Sequence, residues 1–308
     1  MKNLVGNLHD NDLRLLRVFQ SIVRNGGFSA SQEALGLTPA TISNHMSALE
    51  SRLGVRLCHR GRGGFRLTEE GKQVHSAMLD LFGSIETFRS AVGATKGEIT
   101  GTVEFGAVDA VYTNRDFPLD EAIGKFAKSA PKATLNVHIA SPQELLQGLI
   151  TGRFHIILTP TRSLPKSIMS FPVFQELQQL YCGNRHPLFD TSDKLITSRM
   201  LSQYPFVGRS YEENEPICGI DFNWQSVTSH MESAMLMILS GQYIGFLPSH
   251  FARNRVLSDD LRPINKQDVN FFDDFKIALQ RKHPNAAAKH LAEVIKEIPT
   301  RNSISSLI

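Results

Sequence analysis

The residues best suited to one defined chemistry lie between Ser29 and Arg66. Thr38, Ala40, Thr41, Ser43, Asn44 and Ser47 are small or hydrogen-bonding residues within ten positions of one another. An amide such as Asn44 can pair with N6 and N7 of adenine, and Thr41 can meet a thymine methyl. Arg56, Arg60, Arg62 and Arg66 follow within eleven positions around Gly61, Gly63 and Gly64, with no acid among them. Guanidinium groups so placed reach phosphate or a narrow minor groove. The chemistry implied is the reading of duplex DNA. Any one of these residues would also suit a solvated surface, but as a set they favour groove contact.

A second set lies further along the chain. Asp109, Ala110 and Val111 follow a strand candidate, and Ser141 precedes Pro142 with Glu144 three residues on. Gly208 and Arg209 follow another strand candidate, and Ser229 and His230 precede a helix. In α/β sheets, ligands bind beyond the carboxyl ends of strands and near helix N-termini, where these residues fall. Ser141 serves equally as a plain N-cap, His230 as a structural or surface histidine, and Arg209 as a carboxylate partner or a surface residue. No H-E-x-x-H, G-x-S-x-G, Walker A or intact G-x-G-x-x-G is present, and the eleven His lack metal-site spacing. An enzyme, a metal and a cofactor are therefore not expected. Cys182 and Cys218 leave a redox regulator as an alternative, weaker than buried inert thiols.

The elements that must position the first set are short helices. Asp10 or Asp12 can cap a helix whose apolar residues Leu13, Leu16, Phe19 and Val23 recur at helical spacing, ended by Gly26-Gly27. Ser29 with Gln32 forms a capping box for a second helix that stops at Gly36. Thr38 caps a third, with Pro39 at its first position and Gly54 beyond its end. Ile42, Met46, Leu49 and Leu53 make its buried stripe, so the polar set faces outward. Leu57 and Leu67 then anchor a hairpin with a Gly-rich tip. This is the order of a winged helix-turn-helix over residues 1–67.

Thr68 caps a long helix over residues 68–95. Its apolar residues Val74, Met78, Leu81, Ile85, Phe88 and Val92 alternate steps of four and three, a seam suited to dimerisation. The rival reading packs this stripe on the chain's own next domain. Residues 1–68 hold nine Lys/Arg against four Asp/Glu, whereas the remainder holds 24 against 26. Basicity is thus concentrated at the DNA-reading end, where it predicts salt-sensitive affinity. Three widely spaced Cys, no apolar leader and no apolar run long enough to span a bilayer point to the cytoplasm without a membrane role.

From Thr102 onward, strand candidates at 102–108, 133–139, 154–159, 177–183, 205–208, 243–247 and 275–280 alternate with helices near 116–129, 142–151, 229–241, 248–254 and 285–297, an α/β pattern. FSASQEALGLT, TISNHMSALESRLGVRL and the RLTEEG ending resemble the LysR-type transcriptional regulators, and GTVEFGAV, SPQELLQGLITGRFHIIL, YCGNRHPLF and SGQYIGFLPSHFA extend that resemblance over nearly the whole chain. Two departures are Thr38-Pro39-Ala40-Thr41 at the start of the third helix, where the family usually carries Ser-Gln, and Cys58 where it usually has Phe.

The resemblance implies an N-terminal all-α winged helix-turn-helix with a linker helix, and a C-terminal α/β effector domain (96–308) of two lobes like periplasmic-binding proteins. Lobe I would hold about 96–169 and 270–308, and lobe II about 170–269, with crossovers near Ser170 and Val269. It further implies a homodimer or homotetramer on an interrupted inverted repeat in double-stranded DNA, controlled by a small-molecule effector and acting on RNA polymerase. The family often has a neutral residue near Asp109, so a carboxylate there suits an amine-bearing effector such as an amino acid.

Overall fold

The computed structural model describes residues 9–59, 64–95, 98–161, 163–211, 215–264, 269–282 and 285–299. The N-terminal unit consists of α1 (Asp10–Arg24), α2 (Gln32–Leu35), α3 (Pro39–Leu53), the two-stranded wing β1 (Cys58–His59) and β2 (Arg66–Leu67), and α4 (Glu69–Ala94). Leu15, Phe19 and Ile22 of α1 meet Ile42, Met46 and Leu49 of α3 in one core, with Leu57, Cys58 and Met78 closing it. Its apolar spacing is that of helical stripes, and its turns are set by local chemistry. Gly36 and Gly54 both take left-handed conformations that end helices without a Cβ penalty.

Two start signals differ from expectation. His9, not Asp10 or Asp12, occupies the N-cap of α1; the buried Asp12 instead accepts from the His9 N–H at 3.0 Å and pairs with Arg52 of α3. The Ser29–Gln32 capping box does not form. Ser29 opens a 3-10 turn (Ser29–Ser31) that runs directly into α2, so no separate cap is needed. Ser31 holds this turn by donating to the Gly27 and Ser21 carbonyls.

The C-terminal unit begins with β3 (Thr100–Ala107), α5 (Leu119–Ser129), β4 (Lys132–Ile139), α6 (Pro142–Ile150) and β5 (Ile156–Thr159), then the long β6 (Ile168–Gly183). It continues with α7 (Ser198–Leu201), β7 (Pro205–Arg209), β8 (Asn223–Thr228), α8 (Met231–Leu239), β9 (Ile244–Pro248), α9 (Ser249–Leu257) and β10 (Leu261–Pro263), and ends with β11 (Asn270–Gln280) and α10 (Ala286–Lys296). The strand order is β4-β3-β5-β11-β6-β9-β7-β8, with β10 beside β6. β3, β4 and β5 are parallel, as are β7, β8 and β9, while β6 and β11 run antiparallel through both halves.

Two separate cores mark two lobes. Phe105, Leu145, Ile157, Phe275 and Leu291 belong to the first, and Leu180, Phe206, Ile244 and Val269 to the second. On β6 the chain passes between them after Phe174, beyond Ser170, which pairs with Ala278 inside the first lobe. On β11 it passes between Val269 and Phe275. A register shift at Phe275/Lys276 and a stack of Phe117, Phe174 and Phe275 (4.4 and 4.5 Å between rings) sit at this passage. The sequence pattern caught only the second half of β6, because Pro172 and Gln175-Glu176 break the apolar alternation, and only the second half of β11, where Asp273-Asp274 break it. It passed over β8 and β10, a polar edge strand and a three-residue strand.

Candidate DNA-reading surface and effector cleft

The outward side of α3 is chemically consistent along its length. Ala40, Asn44, Ser47, Ala48 and Ser51 are exposed, with Thr41 and Ser43 half-buried, while Ile42, Met46 and Leu49 are sealed beneath. Thr38 caps the helix by accepting from the Thr41 N–H at 3.3 Å, and its hydroxyl lies 2.9 Å from that of Thr41. Thr41 is thereby partly engaged in the cap. Ser29 is exposed. The wing is tied to this helix by a residue that sequence reasoning missed: Glu50 accepts from the Leu57 N–H at 2.8 Å and the Cys58 N–H at 3.4 Å. Its only signal was a carboxylate placed one turn before the helix stop. Arg60 and Arg62 lie outside the described residues.

The six-residue seam of α4 divides in two. Val74, Met78 and Leu81 pack on the winged domain of their own chain, where Met78 is 2% exposed and Val74 and Leu81 are half-buried. The small domain requires them to complete its core. Ile85 is half-buried, whereas Phe88 (69% exposed) and Val92 (46%) remain open. The exposed part of the α4 stripe is therefore shorter than the heptad pattern predicts.

In the C-terminal unit the expected groups converge where the two lobes face each other, but most are already engaged. The Asp109 carboxylate, from lobe I, accepts from the Met231 N–H at 2.6 Å, capping α8 of lobe II, with His230 Nδ1 at 3.7 Å. Burial raises the Asp109 carboxyl above the usual carboxylate value of 3.8, against the lowering pull of the Met231 N–H and His230. Ala110, at φ 63°, and Val111 are buried, and Ala110 packs with Tyr181, Val207 and Met231 of lobe II. Ser141 forms a capping box with Glu144: its Oγ donates to the carboxylate at 2.7 Å and accepts from the Glu144 N–H at 3.4 Å. The plain N-cap reading is the one the geometry bears out there.

Arg209, the last residue of β7, is buried and pairs with Asp273 of β11 at 2.8 Å, as a buried guanidinium needs a carboxylate. Gly208 has a packing role: a Cβ there would lie 1.7 Å from the Trp224 ring. Ser229 is exposed and shares a 2.9 Å hydroxyl contact with Ser210.

A second bridge between the lobes was not foreseen. Thr113 of lobe I lies 2.6 Å from His250 Nδ1 of α9, and His250 Nε2 lies 2.7 Å from Glu176 on β6, which also accepts from Gln178 at 2.7 Å. Glu176 only accepts, so Nε2 carries a proton. Thr113 has one hydroxyl proton to share between Nδ1 and the Ala110 carbonyl, 2.8 Å away.

The Asp109 environment gives a prediction with a definite sign. A folded-state carboxyl held above 3.8 binds its proton more tightly than in the unfolded chain, so its stability contribution is lost as pH rises through the folded value. Asp109→Asn keeps an acceptor for Met231 and removes the buried charge. Calorimetry is expected to show a higher melting temperature for the variant at pH 7, with the gap closing as pH falls towards 3.8. A variant that melts lower at neutral pH would contradict this.

The cysteines offer no accessible dithiol. Cys58 and Cys182 are buried, and burial pushes the Cys182 thiol up to about 11, far from a reactive thiolate. Among the described residues no helix is long and apolar enough to cross a membrane.

A groove-reading helix and anchored wing, joined by a long helix to a two-lobed sensor, define a ligand-responsive DNA-binding regulator. Residues 13–72 match the bacterial regulatory helix-turn-helix protein family of lysR type, and residues 96–298 match the LysR substrate binding domain. The chain belongs to the LysR family. It is a transcriptional regulator rather than an enzyme, and regulators of this family bind DNA and small-molecule effectors and form oligomers. It is 32% identical over 294 residues to the transcriptional activator BauR of Pseudomonas aeruginosa, covering 94% of this chain and 96% of BauR. The Bacillus subtilis regulator YvbU is 25% identical over 92% of this chain and 97% of its own. Among solved structures, a full-length OxyR variant from Pseudomonas aeruginosa superposes with a TM-score of 0.64 at 20% identity, over 94% of this chain and 99% of that one. ArgP from Mycobacterium tuberculosis gives 0.63 at 13%, over 94% and 97%.

Proposed function

We propose that this protein acts in the cytoplasm as a homodimer or homotetramer that binds an interrupted inverted repeat in double-stranded DNA and alters access for RNA polymerase. The observation that carries this reading is the exposed polar side of α3 over a fully buried stripe, with the wing fixed beside it by Glu50. Ser29, Thr38, Ala40, Thr41, Ser43, Asn44 and Ser47 are the candidate groove contacts, and Arg60 and Arg62 the candidate phosphate or minor-groove contacts. Residues 1–67, 68–95 and 96–308 serve as reader, pairing helix and effector domain. Phe88 and Val92, with Ile85 beside them, are the part of the pairing helix left for a partner.

The effector occupies the space between the lobes and carries an amino group, as in an amino acid. Asp109 is the group that supports this, a lobe I carboxylate at the lobe boundary that faces the Met231 N–H and His230 rather than a guanidinium. The test is a footprint on the DNA upstream of the protein's own gene, with and without a metabolite panel. A protected pair of half-sites whose pattern shifts with an amine-bearing metabolite supports the reading. Absence of any protected site, or a response confined to molecules without an amino group, refutes the corresponding half.

Two substitutions separate base reading from phosphate contact. Asn44→Ala is expected to lose about 1–3 kcal/mol of discrimination at one base position. Arg62→Ala is expected to weaken binding across all sequences and reduce the salt slope by about one unit. Binding titrations at several salt concentrations on matched and single-mismatch duplexes check both.

A further inference from the structure

Helix α6 spans from the lobe boundary to the DNA reader. At its first turn, Gln143 reaches the Ser210 carbonyl of lobe II at 3.5 Å, beside the Ser141–Glu144 capping box. At its last turn the chain reverses through Thr151, Gly152 and Arg153, and the Arg153 and Phe154 amides both return to the Gly148 carbonyl. That reversal is what the reader touches. Arg24, at the end of α1, donates to the Arg153 carbonyl at 2.9 Å, and Leu79 of α4 lies against Gly152, where a Cβ would be 2.8 Å from its methyl. His75 of α4 is buried beside the Thr151 carbonyl, and Asp80 lies 3.6 Å from Lys282.

The helix between these ends is rigid. Leu145, Gly148 and Leu149 are buried, and a Cβ on Gly148 would meet the Phe154 ring at 2.4 Å. The contact itself is narrow. It is flanked by an open groove of about 1280 Å³ on one side and a cavity of about 340 Å³ on the other, walled by reader, linker helix and lobe I. The Arg24 and His75 bonds and the Leu79 contact, bordered by these two openings, make a contact that opens at low cost. We propose that the turn at the end of α6 is a release catch: the reader docks on it in the same chain, and α6 carries the arrangement of the lobes to that dock. This inference rests on the regulator reading above and specifies its wiring. Lobe rearrangement shifts Gln143 and the first turn of α6, the rigid helix moves its last turn, and the reader is held or freed. Reciprocity follows: DNA that selects one position of the reader must alter α6 as well.

The test is hydrogen–deuterium exchange of the full chain, read on the segment 142–155. The double variant Arg24→Ala/Leu79→Ala is compared with wild type, each alone and with the duplex from upstream of the protein's own gene. Removing the dock is expected to raise exchange at Arg153 and Phe154 about tenfold in free protein, and Arg24→Ala alone several-fold if the double variant does not fold. Duplex is expected to change exchange across α6 in wild type and not in the variant. Unchanged exchange in the free variants, or a duplex effect that survives in them, overturns the proposal. A gel shift on the same samples reports DNA binding separately. A wild type that binds no duplex therefore counts against the regulator reading, while the DNA-free comparison still decides the dock.

Discussion

Asp273→Ala is expected to cost the effector domain about 3–5 kcal/mol, the usual penalty for removing one partner of a buried ion pair. Arg209 and Asp273 are 6% and 8% exposed and bond at 2.8 Å, and Arg209 lies within 5.9 Å of the Phe271 and Tyr211 ring centres. Alanine leaves the guanidinium buried without the carboxylate that faces it. For a domain of this size the loss corresponds to a drop of roughly 10 °C in melting temperature. The double replacement Arg209→Met/Asp273→Leu removes both charges at similar volume and is expected to melt above Asp273→Ala. Scanning calorimetry of the three proteins decides this. If Asp273→Ala alone melts like wild type, the pair is not a structural element of the lobe junction.

The second large effect is expected at Gly71. A Cβ there would sit 1.9 Å from the Leu57 carbonyl oxygen and 2.8 Å from its carbon, and neither backbone atom can rotate away. Gly71→Ala must push the start of α4 off the wing, loosening the Thr68 cap and drawing Met78 from the core. The expected cost is about 3 kcal/mol, at the upper end for overpacking, and it falls on the reader. Duplex binding is expected to disappear at temperatures where far-ultraviolet dichroism still reports a folded effector domain. Gly124→Ala in α5 is the control: open space surrounds its added methyl, and stability should hold or rise by about 0.5–1 kcal/mol. A gain in both variants would mean that helix propensity, not the clash, governs.

The contrast between the two halves of the chain shows which features a sequence discloses. The reader was legible because its determinants are local. The Thr38 and Thr68 caps act over three residues, and Gly36 and Gly54 end their helices within the same turn. The lobe cores were legible from runs such as Ile156–Thr159 and Ile244–Pro248, where every residue is buried. The lobe junction was not. Asp109 meets Met231 across 122 positions, Glu176 meets His250 across 74, and Arg209 meets Asp273 across 64. Nothing in the spacing of a carboxylate says which distant donor it will face. Arg209 was visible as a polar residue beside a strand end, but its partner Asp273 appears only when the chain is folded, unlike the Glu144 that Ser141 meets three residues on. Sequence marked Arg209 as a carboxylate partner or a surface residue, and folding supplies Asp273 as that carboxylate.

The divided face of α4 has a consequence for how the protein behaves as its amount in the cell changes. Because Val74, Met78 and Leu81 pack on their own winged domain, the core of the reader closes within a single copy. If the protein binds a two-part operator as proposed above, dilution should separate copies and empty it while leaving each copy's helices intact. Operator occupancy and helical content would follow different concentration curves, unlike an obligate dimer, where the two fall together.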